Sequence, residues 1–283
     1  MVLSGWSIVP ALGRATVPVD DFFVPFFDAT GRRTWDVGGG DATVDRESGC
    51  ISIRDIRVRL FDFLENSAFL TLSSPQAEFS RDKNCIVGEN FIHVVGHLFT
   101  AVGGSWMFFG ADRSVVLENN VQVFFETNLA KSLAPDGERG DGGFTAITAE
   151  SLQITGSDDG FVLEFSQNVV VQASDLLLSC DRLVVETAFE RPVAMLDKTA
   201  MDEAIRRIIG DGHVRCEESG RCMEAEWMEL FPREGLMVLS GKVSIADENG
   251  VVLGQRIVVR KKELHVLTAS DGTVHRDICL EME

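Results

Sequence analysis

The chain has 283 residues, of which 45% are hydrophobic and 25% charged, and its formal net charge at pH 7 is −18. This composition is typical of a folded globular protein, and the length allows one large domain or two smaller ones. The negative charge argues against a nucleic-acid ligand, because binding to that backbone depends on Lys and Arg neutralising phosphates. It equally disfavours broad contact with an anionic membrane face.

The first residues predict little regular structure. They are mildly apolar but are interrupted by Gly5, Pro10 and Gly13, and they lack the basic start of a signal peptide. We therefore expect residues 1–20 to be an N-terminal tail or the remnant of a processed leader. No later run approaches the roughly 18 uninterrupted apolar residues of a membrane-spanning helix.

Residues 21–130 predict antiparallel strands. Apolar and polar residues alternate in Ile51-Ser52-Ile53-Arg54, and again at Val115, Leu117, Val121 and Val123. Glycines and other turn residues separate these runs, as they do in an antiparallel sheet. Residues 131–143 are rich in Gly and charge and have no periodicity, which indicates a loop or linker.

Residues 144–262 state one pattern twice. Each copy has a short strand, a turn, a longer apolar strand, and a further strand opened by an acidic residue. Such repeats usually form stacked units that share one continuous core.

A single helix is predicted near 199–205, where Thr199 or Asp202 could form the cap, and we expect it to give way to a strand near Arg206. The sequence thus predicts an all-β protein, either a sandwich, a barrel or a jelly roll.

Several short motifs resemble the OstA-like family of periplasmic lipopolysaccharide-transport proteins. They are Thr148-Ala149-Glu150, then Gln167-Asn168-Val169-Val170-Val171, then Ser179-Cys180-Asp181-Arg182, and in the second copy Gly212-His213-Val214 and Glu224-Ala225-Glu226. The family has Gly where Gln167 stands, Asn where His213 stands, and Ala where Cys180 stands. The resemblance covers most of residues 144–262.

The N-terminal half is similar to the related LptC-type module, through Asp28-Ala29-Thr30-Gly31, Ser74-Pro75-Gln76-Ala77 and Asn119-Asn120-Val121. The resemblance implies tandem antiparallel open β-jelly-rolls, stacked edge to edge, with an LptC-like module over 21–130 and an OstA-like module over 144–283. It also implies an interior groove for acyl chains, a periplasmic or cell-envelope location in a Gram-negative type of bacterium, and further jelly-roll transport proteins as partners through edge-strand addition.

Strand alternation predicts which side chains line that groove. Inward positions recur at every second residue of a strand, and burial there gains about 0.8 kcal/mol for each CH₂ of an acyl chain. The predicted lipid-binding residues are Phe161, Leu163, Phe165, Val169, Val171, Leu176, Leu178, Leu183, Val185, Leu236, Val238, Val243 and Ile245. The alternative is that the same residues fill the core of a closed sandwich.

Catalytic and metal-binding patterns are not evident. Five histidines are scattered, and His93 and His97 lack an obvious third zinc ligand. No phosphate-binding loop, nucleophile elbow or dinucleotide motif is present. The six cysteines match no zinc spacing, although Cys216 and Cys222 flank a turn and could form a disulfide. The alternative for these cysteines is buried free thiols.

Three functional hypotheses follow. The first is a non-enzymatic bridge or adaptor, with no cofactor, metal or nucleic acid, that holds lipopolysaccharide or another acylated envelope lipid. The second is a structural or protein-interaction β-module with a closed core. The third is a carbohydrate-active enzyme, which lacks an identifiable pair of catalytic carboxylates.

Overall fold

The computed structural model describes residues 16–61, 68–126, 144–156, 160–173, 176–188, 204–218, 220–248, 250–260, 263–270 and 273–281, with side chains from 17 to 260. Nearly all of these residues lie in antiparallel β-strands, and within these ranges the sole helical segment is a 3-10 turn at Pro232–Glu234. The all-β prediction is confirmed.

The strands form one sheet. In chain order they are β1 (Thr16–Phe27), β2 (Arg33–Asp45), β3 (Cys50–Phe61), β4 (Ala68–Ser80), β5 (Cys85–Gly88), β6 (Ile92–Gly96), β7 (Phe99–Gly103), β8 (Ser105–Phe109), β9 (Ser114–Phe125), β10 (Thr145–Gly156), β11 (Phe161–Ala173), β12 (Leu176–Thr187), β13 (Ile205–Glu218), β14 (Arg221–Phe231), β15 (Leu236–Asp247), β16 (Gly250–Arg260), β17 (Glu263–Ser270) and β18 (Thr273–Glu281).

The topology is an up-and-down meander. Each long strand pairs antiparallel with the next one along the chain. The short strands fit the same plan: β5 and β6 together run beside β4, and β7 and β8 together run beside both that pair and β9. They therefore act as the two halves of two further long strands.

The long strands bend near their middle. On β9, β11, β13 and β15 the bend consists of two successive residues with positive φ: Asn119-Asn120, Gln167-Asn168, Gly212-His213 and Gly241-Lys242. Asn and Gly tolerate this left-handed conformation better than other residues do. On the strands between them the register shifts at the same level, as in β-bulges that bend a sheet.

Because these bends lie side by side, the sheet folds along one line into two facing layers. Layer A holds 22–27, 33–38, 56–61, 68–74, β6, β7, 121–125, 145–149, 169–173, 176–180, 214–218, 221–225, 243–247 and 250–254. Layer B holds 16–20, 41–45, 50–54, 76–80, β5, β8, 114–118, 151–156, 161–166, 182–187, 205–211, 227–231, 236–240 and 256–260.

The two kinds of bend keep apolar side chains pointing inward in both layers. Along β11, Phe161, Leu163 and Phe165 are buried before the bend, and Val169 and Val171 are buried after it. The step across the bend, from 165 to 169, is four residues, so odd-numbered residues face inward on both sides of it. On β10, β12 and β14 the step across the bend is three residues, for example from Cys180 to Leu183 on β12. On these strands the inward side therefore changes between even and odd residue numbers at the bend. The sequence motif that suggested the family is therefore the motif that builds the bend.

The predicted modules meet between β9 and β10. These strands pair from Phe125 opposite Thr145 to Ser114 opposite Thr155, and buried side chains from both sides belong to one apolar cluster. Strand β1 begins at Thr16, ahead of the predicted module start at 21. The predicted tail otherwise lies outside the described residues, as does the 131–143 loop.

Most of the helix predicted near 199–205 also lies outside the described residues. At its end, Ala204 is in a turn and β13 already begins at Ile205. The β-branched isoleucines at 205, 208 and 209 suit a strand, because their stiff side chains pack well on a pleated surface.

Candidate functional site

The interior between the layers is the first candidate site. Of the thirteen predicted groove residues, all except Leu236 are buried, and Phe161, Leu163, Phe165 and Val185 are essentially inaccessible to solvent. Eleven of the thirteen, all except Leu236 and Val238, pack against one another and against the N-terminal half in a single cluster. These eleven side chains are part of a packed apolar core.

Two of the thirteen positions are corrected by the register. Leu239 pairs with the buried Met228, and Met237 pairs with the buried Leu230, so the inward residues of this half-strand are 237 and 239. Val238 pairs with Glu229 on the outer face, and Leu236 shares its parity. The inward orientation predicted for Leu236 and Val238 is therefore wrong, because the parity was counted from the wrong residue of β15.

Aromatic side chains close the side of the fold opposite the bend, called here the mouth. Trp35 of layer A meets Phe79 and Phe108 of layer B, with ring centroids 6.3 and 4.9 Å apart. Farther along, Phe161 of layer B contacts two layer A rings, Phe69 at 5.2 Å and Phe99 at 5.9 Å. The layers are thus held together by edge-to-face and tilted contacts.

These mouth residues were missed by the sequence reasoning, apart from Phe161. Their contacts join strands far apart in the chain, so no local sequence pattern predicts these contacts. The available signal was the composition, with 19 Phe and no Tyr. Phe fills a dry interior without needing a hydrogen-bond partner.

The two ends of the core are less well covered than its middle. At the N-terminal end, Val19, Val24 and Phe26 of β1 pack on the core but are only partly buried, and at the C-terminal end the same holds for Val252 and Val259 of β16. In stacked architectures the terminal units leave a core face that a cap or a partner covers. The apolar interior is therefore continuous along the described strands, and it is only partly covered at β1 and at β16.

Strand edges accompany these open ends. Strand β1 pairs with β2 on one side, and its other edge has no partner among the described strands. Strand β17 pairs with β16 only from Arg256 to Arg260, so the first half of β16 presents an edge unpaired by any described strand. Exposed Val251 and Leu253 lie on that half. Free backbone groups at such edges can pair with another chain.

The turn that holds β1 against β2 is organised by Asp28. Its Oδ1 accepts hydrogen bonds from the Thr30 N–H at 2.8 Å, the Thr30 hydroxyl at 2.6 Å and the Arg32 N–H at 3.0 Å. These donors, the Thr30 hydroxyl first, stabilise the carboxylate and lower the pKa of Asp28 to about 2.

Two pairs of oppositely charged side chains lie on the outer surface of the bend. His213 Nδ1 lies 2.8 Å from Asp181 Oδ2, and Lys242 Nζ lies 3.2 Å from Glu226 Oε1. The hydrogen bond to Asp181 raises the pKa of His213 above its ordinary value. In each pair an acidic residue of one bend contacts the second positive-φ residue of the next strand. Both pairs are largely exposed, so each adds little to stability.

The described cysteines are free thiols. Cys216 pairs with Met223 across the hairpin and faces the core, whereas Cys222 pairs with Glu217 on the outer face. Adjacent positions on one hairpin point to opposite sides, so the suggested Cys216–Cys222 disulfide does not form. Burial raises the pKa of both Cys180 and Cys216 to about 12, which keeps these two thiols protonated and unreactive.

Metal-binding chemistry finds no support in the described part of the chain, where no three His, Cys, Asp or Glu side chains converge. His93 lies on the outer face of β6, and His97 lies in the turn that follows. A helix of the length and apolarity needed to cross a bilayer is likewise not found among the described residues.

Neither the family models nor the curated protein sequences compared with this chain match it. The likeness to the OstA-like family therefore rests on the motifs quoted above.

Proposed function

We propose that this protein is a non-catalytic bridge or adaptor for lipopolysaccharide or another acylated lipid of the cell envelope. The observation that carries the proposal is the apolar interior, which runs along the described strands and has partly buried residues on β1 at one end and on β16 toward the other. This arrangement provides a continuous apolar path and two sheet edges at which like-folded partners can add strands.

The interior must rearrange to accept a lipid, because its side chains are buried against one another. Rings across the mouth hold the layers together, and parting them exposes apolar surface. An acyl chain of about twelve carbons recovers about 10 kcal/mol when it leaves water, enough to offset a partial opening. The bend line would then act as the hinge and the mouth as the entrance.

Neighbouring residues on β12 give a matched test. Leu178 faces the interior and is 3% exposed, whereas Leu177 faces outward and is 44% exposed. A photoreactive amino acid replacing Leu178 is expected to crosslink lipid A, and the same amino acid replacing Leu177 is expected to crosslink it much less. Equal labelling at both positions would mean surface adsorption and would refute the proposal.

A closed structural module is the second candidate, and the near-complete burial of the predicted groove favours it. Such a module would bind protein partners at its edges without taking up lipid. It predicts that neither position on β12 labels lipid A, while crosslinks from exposed Phe23 on the β1 edge to a like-folded protein persist.

A further inference from the structure

The outer face of layer A contains a broad surface without formal charge. It consists of two cross-strand rows on seven neighbouring strands, β4, β6, β7, β9, β10, β11 and β12. One row contains Thr71, Val95, Thr100, Phe124, Ala146, Gln172 and Leu177, and the other contains Ser73, His93, Val102, Gln122, Thr148, Val170 and Ser179. We call this surface the uncharged face.

The absence of Asp, Glu, Lys and Arg from these rows is unusual for this chain, because a quarter of its residues are charged. The outer face of layer B differs, since Glu164, Arg182 and Glu229 are among its residues. Depletion of charge together with exposed aromatic residues marks the centre of many protein interfaces.

Large apolar side chains protrude from the uncharged face. Phe124 is 42% exposed at its centre, Val95 and Leu177 are similarly exposed toward its two sides, and Val170 lies in the second row. Phe144, which immediately precedes β10 and lies just beyond the first row, is still more exposed. Exposed apolar groups grouped on one face usually mark an interaction site.

The two flanks of this face carry opposite charge. On the β2–β3 side, Asp36 is buried and binds Arg33 and Arg59, and Arg59 donates to it at 3.0 and 3.1 Å. Arg57 lies in the neighbouring cross-strand row, opposite Gly38. Among these four described residues, three positive charges and one negative charge leave +2. On the β13–β14 side, Glu217 and Glu224 bind Arg215 at 2.7 and 3.1 Å, and two negative charges and one positive charge leave −1.

A two-fold axis along β9 brings these flanks together. Strand β3 is four strand positions from β9 on one side and β13 is four positions away on the other, when β5–β6 and β7–β8 each count as one strand. Two copies packed face to face about such an axis place the basic flank of each against the acidic flank of the other. Symmetric self-complementarity of this kind is the common form of a homodimer interface.

The face is also large enough for this role. Seven strands span about 34 Å, and five residues along each strand span about 17 Å. Two copies would bury about 1,100 Å² in total, above the roughly 1,000 Å² expected of a specific interface. A contact at the uncharged face also limits the repulsion between two chains that each carry −18.

From these observations we infer that the uncharged face binds a second copy of this chain, forming a closed two-fold dimer centred on Phe124. This dimer is independent of the proposed lipid function. It also differs from edge-to-edge assembly, which leaves a free edge at each end and so forms open-ended oligomers.

The test is sedimentation velocity of the full chain across a wide range of protein concentrations. The wild-type protein is expected to move from monomer to dimer and to stop there. Phe124→Lys places two ammonium groups near the symmetry axis and is expected to raise the dimer dissociation constant by at least about 30-fold. Arg57→Glu, at an exposed residue on the basic flank, is expected to weaken the dimer by a smaller factor.

Val162→Lys is the control. Val162 is 38% exposed on the outer face of layer B, so its replacement should leave the dimer intact while changing the same charge. Thermal unfolding of each variant shows whether its fold is retained. A wild-type protein that stays monomeric, a folded Phe124→Lys variant that dimerises normally, or equal loss in both Lys variants would each overturn the inference.

Discussion

Replacing Phe161 by Ala tests whether the mouth holds the two layers together. Phe161 begins β11 in layer B and is 1% exposed. Its ring contacts Phe69 and Phe99 of layer A, and both contacts join the two halves of the chain. Its backbone is fixed independently, because the Thr187 hydroxyl accepts from the Phe161 N–H at 2.8 Å.

The expected cost follows from the burial and the ring contacts. Truncating a buried Phe to Ala typically costs about 3–5 kcal/mol, and each aromatic pair contributes about 0.5–1.5 kcal/mol beyond its buried area. Two ring contacts place Phe161→Ala in the middle of that range, at about 4 kcal/mol. The backbone hydrogen bonds of β11 remain, so the variant should still fold.

Equilibrium unfolding in urea measures this cost. With a slope of about 3 kcal/mol per molar, a loss of about 4 kcal/mol lowers the midpoint by about 1.3 M without changing the slope. Val162→Ala is the matched control, because Val162 is the next residue and points outward. A surface truncation of this kind is expected to cost less than about 1 kcal/mol.

A Phe161→Ala variant that loses less than about 1 kcal/mol would refute the reasoning. Such a result would mean that the rings do not meet across the mouth in solution. The interior would then be an open groove already in the free protein, rather than a filled core that must open.

Three further predictions concern the bend and the β1–β2 turn. Gly212→Ala should destabilise the protein more than Gly220→Ala in thermal unfolding, because both glycines have positive φ but only a Cβ at 212 overlaps the Asp181 carboxylate. Placing Ala at a positive φ costs about 1 kcal/mol at either position. Equal losses of stability in the two variants would show that the overlap with Asp181 adds nothing to that cost. Asp181→Asn should lower the pKa of His213 toward 6.5 in an NMR titration, because Asp181 raises that pKa. The stabilisation from this pair is present below pH 6.5 and disappears as pH rises through the folded-state pKa of His213. An unchanged titration of His213 in the variant would contradict the contact. Asp28→Asn should have a lower free energy of unfolding than wild type at neutral pH. This difference in stability should shrink as pH falls from 3.8 to about 2, because the folded-state pKa of Asp28 is lowered. A difference that persists below pH 2 would mean that the Asp28 carboxylate charge is not its cause.

The strand content could be predicted from the sequence because alternation is a local signal. Each half-strand repeats apolar residues at every second position, and Gly or Asn marks each bend. The same locality explains why most of the predicted interior residues are buried. It also explains the errors at Leu236 and Val238, because a bend resets the count and only the register shows which parity faces inward.

Features that depend on long-range contacts could not be predicted. The mouth joins Trp35 to Phe108, and Phe69 to Phe161, across many intervening strands. The uncharged face likewise becomes visible only when the register aligns residues from seven strands. Sequence reasoning also left open whether the interior is a groove or a core, since apolar alternation looks the same in both.

The measurement that tests the central claim most directly is native mass spectrometry of the protein purified from an envelope fraction, followed by extraction and identification of any bound molecule. A bridge for acylated lipids is expected to carry lipopolysaccharide or another acylated lipid, and to take up lipid A when purified without it. A mass equal to that of the bare chain, unchanged after incubation with lipid A, would contradict the account and favour the closed structural module.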